Sequence, residues 1–206
     1  MPTIQHSALT TGELHEPKGV ASATSEDVYV ADGAGSGTWY KLQTKAWENI
    51  DHGGSSQALS SGVRTKVLND AAGASTFTSY QFPDATGSIW DSTNNQFDWE
   101  AADLKVGDTV DIRFDVEYTV DTNNDGFLLE LDLGVGSATN VSLPIDQRNI
   151  DQAGTQQVVR FISIFIGNND ILTSPAELYV TADSGSDSIL INGWYCRMNP
   201  LNPRFA

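Results

Sequence analysis

The chain has 206 residues, 27 acidic against 11 basic side chains, a formal charge of −16 and one cysteine. That length holds one full core, or a core with an appended module, and the acidity repels phosphate backbones and anionic lipid heads, so neither nucleic acid nor membrane is expected as a partner. Cys196 has no partner for a disulfide within one chain, and no stretch has the form of a secretory signal or the length of a membrane span, so synthesis in a cytoplasm is expected.

Residues 1 to about 26 are polar, carry Pro2 and Pro17, and show neither alternation nor a helical stripe, so they read as an extended arm. Asp27-Val28-Tyr29-Val30-Ala31 and Thr38-Trp39-Tyr40-Lys41-Leu42 then flank a glycine-rich turn, making a small β-hairpin that needs a partner surface for stability. The spacing Gly33-x-Gly35-x-Gly37 is followed by a strand, whereas a phosphate cradle requires a helix, so it reads as a turn. A boundary falls near His52-Gly53-Gly54-Ser55-Ser56 and divides the chain into an arm with its hairpin, residues 1–50, and a head, residues 51–206. Short strands are expected over 63–68, 76–82, 88–90 and 96–100.

The most regular stretch follows. Val110, Ile112, Phe114, Val116, Tyr118 and Val120 alternate with Asp111, Arg113, Asp115, Glu117 and Thr119, a strict period of two. After Asp121-Thr122-Asn123-Asn124-Asp125-Gly126 the apolar set resumes with Phe127, Leu129, Leu131, Leu133 and Val135, and the spacing predicts one long hairpin over 108–135. Val141-Ser142-Leu143-Pro144 is expected at a sheet edge, because proline donates no ladder hydrogen bond.

The closing strands are apolar on both parities. Val158, Ile162, Ile164 and Ile166 alternate with Val159, Phe161 and Phe165; Leu178 and Val180 with Tyr179; Ile189, Ile191 and Tyr195 with Leu190, Trp194, Cys196 and Met198. A strand of a two-layer sandwich needs one apolar face. The second face is expected to be covered by another copy of the chain, with Phe161, Phe165, Tyr179, Trp194 and Tyr195 at the interface. About ten short strands at this spacing predict an all-β, antiparallel jelly-roll sandwich closing as a homotrimer, with a monomeric large-cored sandwich as the alternative. The tail from Asn199 to Ala206 is expected to be disordered or to lie on a neighbouring subunit with Phe205 as a plug.

Among candidate sites, Asp121-x-Asn123-x-Asp125-Gly126 opens like a calcium loop with Asp132 at its twelfth place, but flanking strands and a carboxylate shorter than glutamate favour a plain turn. His6, His15 and His52 are read as hydrogen-bonding residues at a docking surface in preference to metal ligands on a symmetry axis. Asp91, Asp98, Glu100 and Asp103 crowd around Trp90, Phe97 and Trp99, the parts of a glycosidase cleft, but solvated acidic faces explain them more simply and no enzyme is expected. No cofactor or metal is expected either. Trp39 and Trp47 are candidate anchors where arm meets head.

The arm from His6 to Val20, followed by Val28-Tyr29-Val30-Ala31-Asp32-Gly33 and Gly35-Ser36-Gly37-Thr38-Trp39, resembles the N-terminal segment of tailed-bacteriophage virion structural proteins: head fibres, capsid decoration proteins and tail fibres. From about Val63 to Met198 the chain is similar in pattern to the trimeric jelly rolls of the tumour-necrosis-factor and C1q type that follow such arms. The resemblance implies a homotrimer assembled in the host cytoplasm and held on the major capsid protein or another virion protein through His6, Leu9, Leu14, His15, Pro17 and Trp39. It implies a non-enzymatic capsid decoration protein or short head fibre on the virion surface. The alternative is a tail fibre, or a receptor- or carbohydrate-binding tip that takes a host-surface glycan.

Overall fold

The computed structural model describes Ala23, residues 27–31 and residues 37–205. The expected anchors His6, Leu9, Leu14, His15 and Pro17, and Gly33 and Gly35 of the glycine turn, lie outside the described residues. In chain order the elements are β1 (Asp27–Ala31), β2 (Gly37–Gln43), β3 (Ala46–Asp51), β4 (Gln57–Ala58), β5 (Thr65–Lys66), β6 (Phe77–Tyr80), β7 (Trp90–Asp91), β8 (Gln96–Phe97), β9 (Thr109–Val120), β10 (Asp125–Leu133), β11 (Val141–Ile150), β12 (Gly154–Phe165), α1 (Asn169–Thr173), β13 (Glu177–Ala182), β14 (Ser188–Asn199) and β15 (Arg204–Phe205).

The chain forms two compact units, Met1–Gln43 with Phe205–Ala206, and Thr44–Arg204. The division thus precedes β3, whereas the turn at His52 suggested residue 50; β3 belongs to a sheet of the second unit. In the first unit β1 and β2 pair antiparallel from Asp27↔Lys41 to Ala31↔Gly37, as expected. Tyr29 and Trp39 pack with ring centroids 5.3 Å apart, and Phe205 lies 5.6 Å from Tyr40 of its own chain.

The second unit is an all-β, antiparallel sandwich of jelly-roll type. One sheet has the order β12-β9-β14-β3-β6, with β4 on β14, and the other the order β11-β10-β13-β5. The alternation over 110–120 and 127–133 is real, since those apolar residues are buried. The hairpin is not: β9 pairs with β12 and β14, β10 with β11 and β13. The link between β9 and β10 is therefore a corner that passes from one sheet to the other, and Tyr118 meets Phe127 across the interior at 4.5 Å between ring centroids. A period of two identifies a strand's buried face but not its neighbours, and in a sandwich two apolar faces meet equally well from opposite sheets.

β11 is an edge strand, as its proline predicts, and the pairing with β10 shifts register where Glu130 faces Pro144. β14 explains its own two-sided appearance. Its register shifts between Ile191 and Gly193, so Ile189 and Ile191 point inward before the bulge and Trp194, Cys196 and Met198 point inward after it. Gly193 is required there, since a Cβ would stand 2.7 Å from the Ile50 carbonyl oxygen. The buried apolar residues on both parities of β14 thus serve one core, while Tyr195 faces outward.

Candidate functional site

The outer face of the larger sheet carries the exposed apolar side chains of interest. On the edge strand β12, Val159, Phe161 and Phe165 project outward with 44, 73 and 59% of their surface exposed. Opposite them on β9 stand Asp115, Arg113 and Thr109, and Tyr195 of β14 faces Arg113 from the other side. A groove of about 490 Å³ lies between, lined by Asp111, Arg113, Phe161, Ser163, Tyr195 and Arg197. Its polar groups are largely engaged: Arg113 pairs with Asp115 at 2.7 Å, and Asp111 accepts from Ser163 Oγ at 2.6 Å and Asn199 Nδ2 at 2.9 Å. Further along, Phe77 and Tyr80 stack on Trp47 at 5.0 Å, with Tyr195 5.8 Å from the same indole.

The five residues expected at a subunit interface are not brought together. Phe161, Phe165 and Tyr195 share this face, but Trp194 is 1% exposed, with its ring centroid 4.4 Å from that of Trp90 and 5.5 Å from that of Phe97. The bulge at Gly193 turns it inward, so it is core and not interface. Tyr179 lies on the smaller sheet, and its outward face is covered by the Arg64 guanidinium 4.0 Å above the ring. Burial, and a hydrogen bond to Glu177, push the Tyr179 phenol up to about 12. Arg64 also bridges to Glu130 at 3.1 Å and Asp132 at 2.6 Å. Burial works against ionisation of Asp132, yet the Arg64 pair holds its carboxyl below the usual range. Asp132, the would-be twelfth calcium-loop residue, thus lies within β10 and is committed to Arg64.

The other candidates resolve into structural roles. Trp90, Phe97 and Trp99 are buried in the core, so the neighbouring acids line no cleft with them. Asp91 accepts from the Thr93 and Asn94 amides, Asp98 from the Ala101 amide, and Asp103 pairs with Lys105 and Arg204. Both ring nitrogens of His52 are occupied, Nδ1 with Asp70 at 2.9 Å and Nε2 with the Ser55 carbonyl at 2.9 Å, fixing the loop after β3. Trp39 is half-buried against Tyr29, and Trp47 sits on the outer sheet face just described. The tail is tied into its own unit: the Leu201 amide donates to Asp108 at 2.7 Å and Arg204 Nη2 donates to the same carboxylate. The sequence signal for these ties was weak because their partners lie about a hundred residues away and each joins one charged residue to one short loop.

No family model matches the chain, and no curated protein matches it. Among solved structures it is similar to the capsid of the infectious bursal disease virus T13 particle, at 8% identity and a TM-score of 0.45, covering 84% of this chain and 37% of the viral one. It is also similar to the CBM22-1 xylan-binding domain of Paenibacillus barcinonensis Xyn10C, at 9% identity and a TM-score of 0.37, covering 78% of this chain and 96% of that domain. The chain thus spans little more than a third of the viral capsid protein's length.

Proposed function

We propose that the chain is a non-enzymatic structural protein of a tailed-phage virion, a homotrimer displayed on the capsid and held there by residues 1 to about 43. The observation that carries the self-association is the row Val159, Phe161 and Phe165 on the solvent face of an edge strand. Exposed apolar surface beside unpaired backbone groups invites another chain, and a closed ring of identical copies covers it without forming an open fibre. The capsid location and assembly in the host cytoplasm rest on the resemblance of the segment from His6 to Trp39 to virion arms. The charge of −16 suits heads that project outward without adhering to one another or to nucleic acid.

Light scattering of the full chain at micromolar concentration tests the reading. Three chains per particle are expected, and Phe161→Ser with Phe165→Ser should give a folded single chain. A monodisperse single-chain wild type would overturn the trimer. Deleting residues 1–26 should leave the oligomer intact and abolish decoration of virions; binding that persists would remove the arm from the anchor.

A second reading, a receptor- or glycan-binding tip, is favoured by the Trp47 group, where Phe77 and Tyr80 keep 37 and 55% of their surface exposed beside the Arg113 groove. Flat aromatic faces next to hydrogen-bonding side chains suit a sugar ring. A glycan array with wild type and Tyr80→Ala decides it: a signal lost in the variant supports the tip, and no signal supports decoration alone.

A further inference from the structure

The corner between β9 and β10 does more than reverse the chain. Asp121 and Asp125 stand on it, and Asp187, from the separate connection between β13 and β14, reaches the same point. One carboxylate oxygen from each lies within 4.8 Å of the others. Asp125 is 4% exposed and Asp187 1%, while Asp121 opens to solvent. Among the described residues no lysine, arginine or histidine pairs with any of the three, whereas the buried acids Asp103, Asp108, Asp132 and Asp146 each have a basic partner.

A tight acidic turn alone would not define a site. The second observation is Asp187 itself. Its Oδ1 accepts from the Asp121 amide at 3.3 Å, but its Oδ2 is buried with no hydrogen-bond partner. A fully buried carboxylate oxygen without a donor is costly, and two neighbouring carboxylates add repulsion. The remaining contacts orient the other two acids: Thr122 Oγ1 donates to Asp125 Oδ2 at 2.9 Å and Ser184 Oγ to Asp121 Oδ1 at 3.0 Å.

We propose that Asp121, Asp125 and Asp187 form a calcium site joining the two corners of the sandwich. The ligand set contains only carboxylate oxygens, which suits a hard cation and not zinc or copper. Oxygens within 4.8 Å of one another can share one calcium ion, whose ligand distances are about 2.3–2.6 Å. This is not the helix-flanked calcium loop: its third acid comes from the far end of the chain and Asp132 takes no part. Both corners cross between the sheets, β9 to β10 in one direction and β13 to β14 in the other, so an ion here ties two crossings together at one point. All three acids come from one chain.

The test uses the full chain, stripped with chelator and titrated with calcium chloride in a calorimeter, with thermal unfolding followed in parallel. Saturable binding of one ion per chain and a melting temperature that rises with calcium are expected. Asp187→Asn and, separately, the exposed Asp121→Asn should weaken binding by about ten-fold or more, since even loss of an outer-sphere partner costs that much. Asp84→Asn, an exposed acid in the connection between β6 and β7, should bind as wild type does and so separates the site from general attraction to an acidic protein. No saturable heat with unchanged melting, or equal affinity in all three variants, would overturn the proposal. Should Asp187→Asn fail to fold, Asp121→Asn still decides it.

Discussion

Arg204 donates through Nη2 to Asp108 Oδ2 at 2.6 Å, and its Nε lies 3.4 Å from Asp103 Oδ2. Both acids are at most 2% exposed, and Asp108 also accepts from the Lys105 and Leu201 amides, so Arg204, together with the Lys105 ammonium on Asp103, offsets two buried charges and pins the tail to the entry of β9. Arg204→Ala would leave these carboxylates buried and only partly compensated, at a cost of about 3 kcal/mol. Urea denaturation should show a lowered midpoint with an unchanged slope.

Trp194 and Tyr195 are neighbours in sequence with opposite consequences. Trp194→Ala should cost about 3–5 kcal/mol by calorimetry, because the indole fills the space between Trp90, Phe97 and Phe114. Tyr195→Ala, on the outer face, should cost under about 1 kcal/mol. Equal losses would contradict the bulge at Gly193.

Glu48 is fully buried on β3 and accepts from Gln81 Nε2, Ser88 Oγ and the Ile89 amide. Burial outweighs these hydrogen bonds and raises its carboxyl above the ordinary 4.5. The folded state therefore holds this proton more tightly than the unfolded one. The stability it contributes is complete below 4.5 and is lost as pH rises through the raised folded value. Relative to Glu48→Gln, wild type should gain stability as pH falls from neutral toward that range. Parallel pH profiles of the two proteins in chemical denaturation would contradict this.

Cys196 is completely buried, and burial, with the nearby Glu48 charge, pushes its thiol well up. A thiol reagent should leave the folded protein unlabelled and react with one equivalent once guanidinium unfolds it. Rapid labelling of the folded state would contradict the packing of β14 on β3.

The sequence by itself determined the local facts. Alternation over 110–120 and 127–133 marked the inward face of each strand, because the pleat depends only on a strand's own residues, and Pro144 marked an edge because the missing amide is local. It also marked Phe161 and Phe165 for an outer face, by the second apolar parity of their strand. Only the tertiary structure decided that β9 and β10 lie in different sheets, that a one-residue bulge turns Trp194 inward, and that Arg64 covers Tyr179. The same holds for Asp187, which joins Asp121 and Asp125 only because two corner loops from distant parts of the chain meet. Pairing, register and convergence depend on how strands far apart in sequence share one core, and no periodicity within a single strand records that.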